Sequence, residues 1–151
     1  MTTDRIEKQI VLRATPARVW RALSNAREFG TWFGAEFPDL PGDFVPGKEA
    51  RGKVKYQGKE LAMTFIVERM EPERLLAFRW HPFAVDPAVD YSSEPMTRVE
   101  LVLAPVPEGT RLTVTESGFD QIPIARRAKA FEMNSGGWAQ QMENIARHVH
   151  A

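Results

Sequence analysis

The sequence predicts an α+β domain in which an antiparallel sheet packs against a long C-terminal helix. Three observations predict it. Between Ala50 and Glu116 the chain alternates apolar and polar residues in runs joined by short turns, the pattern of hairpins rather than of long crossovers. Near the C-terminal end Trp138, Met142, Ile145 and Val149 recur at i, i+4, i+7 and i+11, which lays one continuous apolar stripe along a helix. Ahead of the sheet, one strand is followed by two short aromatic-rich helical segments. The stripe needs an apolar surface, and the concave face of the sheet is the one large enough.

Each element has its own warrant. Arg5 to Ala14 reads as a strand with Ile6, Ile10 and Leu12 on one face and Lys8 interrupting it. Thr15 suits an N-cap, and Pro16 follows at the first helical position, where a missing N–H costs nothing. Val19, Trp20 and Leu23 share a face until Ser24-Asn25 ends the helix. Phe29, Trp32 and Phe33 repeat the i, i+3, i+4 spacing on a second helix, which Gly34 stops. Ala35 to Gly47 carries prolines and glycines and reads as loop. Ala50 to Tyr56 is short and polar, an edge strand. Lys59 to Met70 alternates Leu61, Met63, Phe65 and Val67 on one side, and Leu75 to His81 places Leu76, Phe78 and Trp80 together. Pro82 to Pro95 is a long irregular insertion, expected to be the mobile part of the fold. Thr97 to Ala104 and Thr110 to Glu116 form the last hairpin, with Val99, Leu101 and Leu103 facing Leu112, Val114 and Glu116. Ile124 to Met133 is helix-forming, and Ser135-Gly136-Gly137 should kink or interrupt the helix before the stripe begins.

Composition narrows the function classes. A chain of 151 residues fits one domain, spanning 1–151, with room for a sizeable core. Twenty basic residues balance twenty acidic ones and intersperse with them, so nucleic acid is not the expected partner. The absence of cysteine removes disulfides, thiol nucleophiles and thiolate metal sites together. The start, MTTDRIEKQI, lacks the apolar run of a signal peptide, and no apolar run approaches the ~20 residues needed to cross a bilayer. The reading is a cytoplasmic protein without a membrane span.

The order of elements resembles the helix-grip fold of the START-like, or SRPBCC, superfamily: a curved antiparallel sheet wrapped around a long C-terminal helix, with two short helices after the first strand. ATPARVWRALSNAREFGTWF resembles that family's opening pattern, a small residue and Pro, then Val-Trp-x-x-Leu and a later Trp. MEPERLLAFRW resembles its Pro-x-x-x-Leu-x-aromatic-x-Trp hairpin, GTRLTVTESGF its Gly-Thr-x-Leu-x-Val-x-x-x-Gly-Phe strand, and GGWAQQMENIARHV the start of its final helix. The ordered set is similar to the branch named after the activator of the heat-shock ATPase, and it runs nearly the whole chain. Pro82 to Pro95 is longer than that pattern, and Met142 and Ile145 stand where it often has leucine. The resemblance implies a cavity between sheet and final helix, in which members bind lipids, hormones or polyketides. A minority cyclise or hydrolyse them, and others act through protein contacts.

Several stretches invite chemistry. Gly47 to Val54, GKEARGKV, nearly matches a phosphate-binding loop. Val54 stands where the hydroxyl belongs, and the stretch enters a strand rather than a helix, so the match is coincidental. His148 and His150 are two residues apart, on different sides of a helix, and no further ligand accompanies them, so no metal is implied. No cofactor is implied either. His81 ends a strand beside the insertion, where it is either an exposed strand-end residue or a rim contact. Glu116 continues the Leu112–Val114 face, so alternation points it inward, where a carboxylate in an apolar cavity would be a proton donor or acceptor. The alternative is that the strand has ended and Glu116 reaches water or pairs with Arg79 or Arg98.

The aromatic residues give the ligand-facing expectation. In the fold that the chain resembles, Phe65, Phe78, Trp80, Leu101, Glu116, Trp138 and Met142 would line the cavity. Trp32 and Phe33 would sit at its mouth, with Trp20 anchoring the core. The leading function is binding of a small hydrophobic molecule, lipid-, polyketide- or aromatic-like. A cyclase or hydrolase using Glu116 and His81 is the second reading. A co-chaperone or stress-response role, implied by the family name alone, is the third.

Overall fold

The computed structural model describes residues 4–150; Met1 to Thr3, at the head of the stretch read for a signal peptide, and Ala151 lie outside the described residues. Strand β1 (Arg5–Leu12) leads into α1 (Pro16–Ser24) and α2 (Ala26–Phe33). Then come β2 (Ala35–Glu36), β3 (Glu49–Tyr56), β4 (Lys59–Glu71), β5 (Leu75–Trp80), β6 (Thr97–Val106) and β7 (Gly109–Ser117). A 3-10 turn at Phe119–Gln121 precedes α3 (Ile124–His150). The strands form one seven-stranded antiparallel sheet in the order β1-β7-β6-β5-β4-β3-β2.

The short helices start where side-chain oxygens can take free backbone N–H groups. Thr15 accepts from the Arg18 N–H at 3.2 Å, and Asn25 from the Glu28 N–H at 3.1 Å. Asn25 thus closes α1 and opens α2, which makes the sharp bend. Gly34, at φ 92°, ends α2 in the left-handed region and turns the chain into β2. That turn corrects the reading of β3 as an edge. Ala35 and Glu36 pair with Val54 and Lys53 and cover that part of it, in a strand too short to show a period.

Curvature has a visible source in β4. The register slips between Val67 and Arg69, leaving Glu68 as the extra residue of a bulge, which bends the strand. Glu68 accepts from Arg79 Nε and Arg98 Nε, both at 2.8 Å. Burial of the Arg98 guanidinium favours its neutral form, but the hydrogen bonds it donates to Glu68 and Glu100 prevail and raise its pKa. These two arginines are therefore committed to Glu68 and not to Glu116.

Helix α3 runs unbroken, which corrects the expected kink at Ser135-Gly136-Gly137. Both glycines are exposed and a Cβ on either would meet nothing within 4 Å, so the helix continues over them at a local propensity cost. Packing supplies the compensation. Ala130, Trp138, Met142, Ile145 and Val149 are all buried against the sheet and α1–α2. The two histidines also fasten its end: His148 Nε2 lies 2.9 Å from Glu28 Oε1, and His150 Nε2 accepts from the Arg13 N–H at 2.9 Å.

Candidate functional site

Where the sequence reading places a void, the interior holds interlocked rings. Phe65 stacks on Phe78 at 4.2 Å between centroids, Phe29 stacks on Phe33 at 4.9 Å, and Trp80 lies 5.8 Å from Trp138. Phe33 reaches Phe65, Trp80 and Trp138 at 6.0–6.1 Å, so it joins α2 to β4, β5 and α3 in one aromatic contact set. Aromatic pairs at these separations and tilts contribute beyond their buried area.

Behind Trp80 lies Glu116, with no exposed surface. Alternation points it inward as expected, and β7 continues through it to Ser117, so it neither reaches water nor pairs with an arginine. Its surroundings are not apolar. Oε2 accepts from the Trp80 indole N–H at 2.7 Å and the Thr97 hydroxyl at 2.6 Å. Oε1 accepts from the Trp138 indole N–H at 2.8 Å, and the Asn134 amide donates to both oxygens at 3.0 and 3.1 Å. The carboxylate is thus solvated by four neutral donors from β5, β6 and α3 and sews those elements together. Buried polar groups demand such partners. Asn134, Trp138 and Gln141 recur at i, i+4 and i+7, so the helix face toward the site carries polar members among its apolar ones.

In front of Trp80 the protein opens a cleft of about 970 Å³. β3–β4 contributes residues from both of its faces, Tyr56, Leu61 and Met63 from the inward alternation and Arg51, Thr64 and Ile66 from the outward one, and Phe33 and Trp80 close one side. The segment 81–96, which has no regular secondary structure, forms the opposite wall through Phe83, Val85, Tyr91 and Met96. Gln141 of α3 reaches the same space and donates to the Phe33 carbonyl at 2.8 Å, fixing the end of α2 against the helix. A second groove, of about 930 Å³, runs along α2, β2 and the loop through Phe37 and Leu40.

The expected ligand contacts divide. Phe33 and Trp80 line the cleft. Phe65, Phe78, Leu101, Glu116, Trp138 and Met142 are buried behind it and line neither cleft described. The expected roles of two tryptophans are corrected. Trp32 is 5% exposed, and its indole N–H donates to the Ala22 carbonyl at 2.8 Å, so it anchors α2 to α1 in the core and does not gate the mouth. Trp20 is only partly buried at the core's margin. His81 lines the cleft, but its Nε2 is engaged with the Glu94 carbonyl at 3.0 Å. Among the described residues, no group of three His, Cys, Asp or Glu side chains is arranged to hold a metal ion.

Sequence reasoning missed Tyr56, Phe83, Met96, Asn134 and Gln141. Tyr56 continues the inward alternation Ala50, Gly52, Val54, and Asn134 and Gln141 share the Trp138 face; those spacings were the available signals.

A bent antiparallel sheet gripping a C-terminal helix, with two short helices closing one end, is the helix-grip architecture of START-like proteins. Within it, residues 13–150 match the family described as Activator of Hsp90 ATPase homolog 1-like protein, and the chain belongs to that family. Solved structures agree on the fold. Protein MLL2253 from Mesorhizobium loti superposes with a TM-score of 0.72 at 21% identity, over 97% of this chain and 96% of that one. A protein from Arthrobacter aurescens superposes with a TM-score of 0.78 at 18% identity, over 98% and 87%. DynU16, a protein of the dynemicin biosynthetic locus, gives 0.70 at 23% identity, over 98% of this chain and 48% of that one. No curated protein matches. Among the described residues no helix is long and apolar enough to cross a membrane. Membership of the family is consistent with binding a hydrophobic ligand.

Proposed function

We propose that the protein binds a flat, largely hydrophobic molecule in the cleft between β3–β4 and the 81–96 segment. One observation carries the reading: five aromatic rings, Phe33, Tyr56, Trp80, Phe83 and Tyr91, together with Met63 and Met96, line a half-open space of about 970 Å³. That size suits a drug-sized ligand, for which pockets run roughly 300–1,000 Å³. Rings on several walls favour a planar ligand, which can stack on one and meet others edge-on. Methionine adapts its shape to what the rings leave uncovered.

Charged groups beside the cleft are paired with one another. Arg51 is paired with Glu49 at 3.1 Å and Lys53 with Glu60 at 3.7 Å, all at exposed positions where such pairs contribute little. Glu116 supports the site from behind by holding the Trp80 indole edge, so that the ring presents a fixed surface to the cleft.

The test is a titration with the neutral planar dye Nile red, followed by its fluorescence. Met63 is partly buried and lines the cleft, and Met63→Lys places a charge there. The reading expects at least a tenfold rise in Kd, about 1.4 kcal/mol, with the unfolding midpoint little changed. Equal affinity in both proteins would refute it. Native mass spectrometry of the freshly purified protein would then weigh the natural ligand directly.

A further inference from the structure

One side chain holds both ends of the cleft's outer wall. Arg126, in the first turn of α3, donates from Nη2 to the Pro82 carbonyl at 3.1 Å and from Nη1 to the Phe83 carbonyl at 3.0 Å. These carbonyls lie where the 81–96 segment leaves the sheet. The same guanidinium donates from Nε and Nη2 to Glu94 Oε1 at 3.2 and 2.8 Å, and its Cζ lies 4.7 Å over the Tyr91 ring. Those two residues lie where the segment returns. Arg126 and Glu94 side chains are 20% and 17% exposed, so the bridge is shielded from water. A planar fork with five donors makes these four hydrogen bonds while lying over the ring; an ammonium has three donors and no plane to stack.

The rest of the segment is held lightly. His81 Nε2–H donates to the Glu94 carbonyl, and the Tyr91 hydroxyl accepts from the Asp86 N–H at 3.2 Å. The other bonds of the segment are local turns: the Val89 N–H to the Asp86 carbonyl, the Ala88 N–H to Asp86 Oδ1, the Ser92 N–H to Asp90 Oδ1 and the Glu94 N–H to the Tyr91 carbonyl. Asp86 to Asp90 are exposed. The inner side of this segment is cleft wall.

We propose that Arg126 is the latch of a strap over the cleft. While its guanidinium joins the two stalks, the strap stays down. Release at Glu94 and Tyr91 lets the strap swing about Pro82–Phe83 and opens the cleft for exchange of its occupant. The inference rests on the binding reading for its purpose, but the latch itself has a separate signature. Arg126 is a positioning residue and touches no ligand.

The experiment compares wild type, Arg126→Ala and Arg126→Lys by hydrogen exchange and by stopped-flow mixing with Nile red. Arg126→Ala should lose at least tenfold protection in peptides spanning 82–95, where the Val89 and Glu94 amides are bonded, with no change in the sheet or in the unfolding midpoint. Tenfold is about 1.4 kcal/mol, below the value of a single charge-assisted hydrogen bond. Dye association and dissociation should both quicken about tenfold. Arg126→Lys keeps the charge and should behave like Arg126→Ala, because it cannot make the four hydrogen bonds and the ring contact together. Unchanged exchange in Arg126→Ala, or full protection in Arg126→Lys, would overturn the latch. Dye binding to none of the three proteins, with protection lost as expected, would support the latch and count against the binding reading instead.

Discussion

Replacing Glu116 by Gln should destabilise the protein by several kcal/mol, and the number follows from donor geometry. The carboxylate accepts from two indole N–H groups, one on each oxygen: Trp80 on Oε2 and Trp138 on Oε1. An indole N–H only donates, so a glutamine NH2 opposes one of them in either orientation. One buried donor is orphaned, at a cost of about 1–3 kcal/mol. The Thr97 hydroxyl can turn and accept from the new amide, which limits the damage at Oε2. The surviving bonds lose a charged acceptor, roughly 0.5–1 kcal/mol each. With no exposed surface at Glu116 to screen these terms, the expected loss is about 3–4 kcal/mol, a large part of the roughly 5–15 kcal/mol typical of a domain. Glu116→Leu strands all four donors and should lose more. Urea unfolding, comparing midpoints at constant slope, measures both. A Glu116→Gln protein within about 1 kcal/mol of wild type would refute the reasoning, since that is less than one orphaned donor.

Other outcomes follow from the same packing. Gly136→Ala and Gly137→Ala should each stabilise the protein by about 0.5–1 kcal/mol, because both sites are exposed helix interior with open space for a Cβ; a loss of urea stability in either would place a break in α3 there. Gly30→Ala should be strongly destabilising, since its Cβ would lie 2.2 Å from the Ala35 carbonyl oxygen, and a folded variant with an unchanged midpoint would refute that contact. Burial pushes the Glu28 pKa up, but hydrogen bonds from His148 and Arg18 and the charges of Arg18 and Arg21 prevail and hold it below its ordinary 4.5. A depressed carboxylate contributes stability that is present above pH 4.5 and lost as pH falls through the folded value. Glu28→Gln should therefore flatten the acid limb of the stability curve, and a limb parallel to wild type would argue against this role.

The fold was legible because its elements repeat a period. The Leu61–Val67 and Val99–Leu103 alternations and the Trp138–Val149 stripe each state a buried face, and packing follows from the faces. Strand β2 was not legible, because two residues carry no period. The continuity of α3 was not legible either: Gly136 and Gly137 speak for a break, and long-range burial outweighs them. At the site, alternation placed Glu116 inward but could not say what would surround it. Its donors come from β5, β6 and α3, brought together only by the fold. The same holds for Arg126, which in the sequence is one of two adjacent arginines and in the structure ties two distant stalks. Spacing identifies a face of a helix but not how deep each position lies, so it does not distinguish the buried Trp32 from the partly buried Trp20.

Methyl NMR with labelled methionine tests the binding site most directly. Met63 and Met96 line the cleft, whereas Met142 is 3% exposed in the core behind it. On titration with a planar aromatic probe, the methyls of Met63 and Met96 and the indole N–H of Trp80 should shift along one binding curve while Met142 stays still. Shifts centred on Met142 and the Trp138 indole, with Met63 and Met96 silent, would place the ligand inside the core and contradict the account.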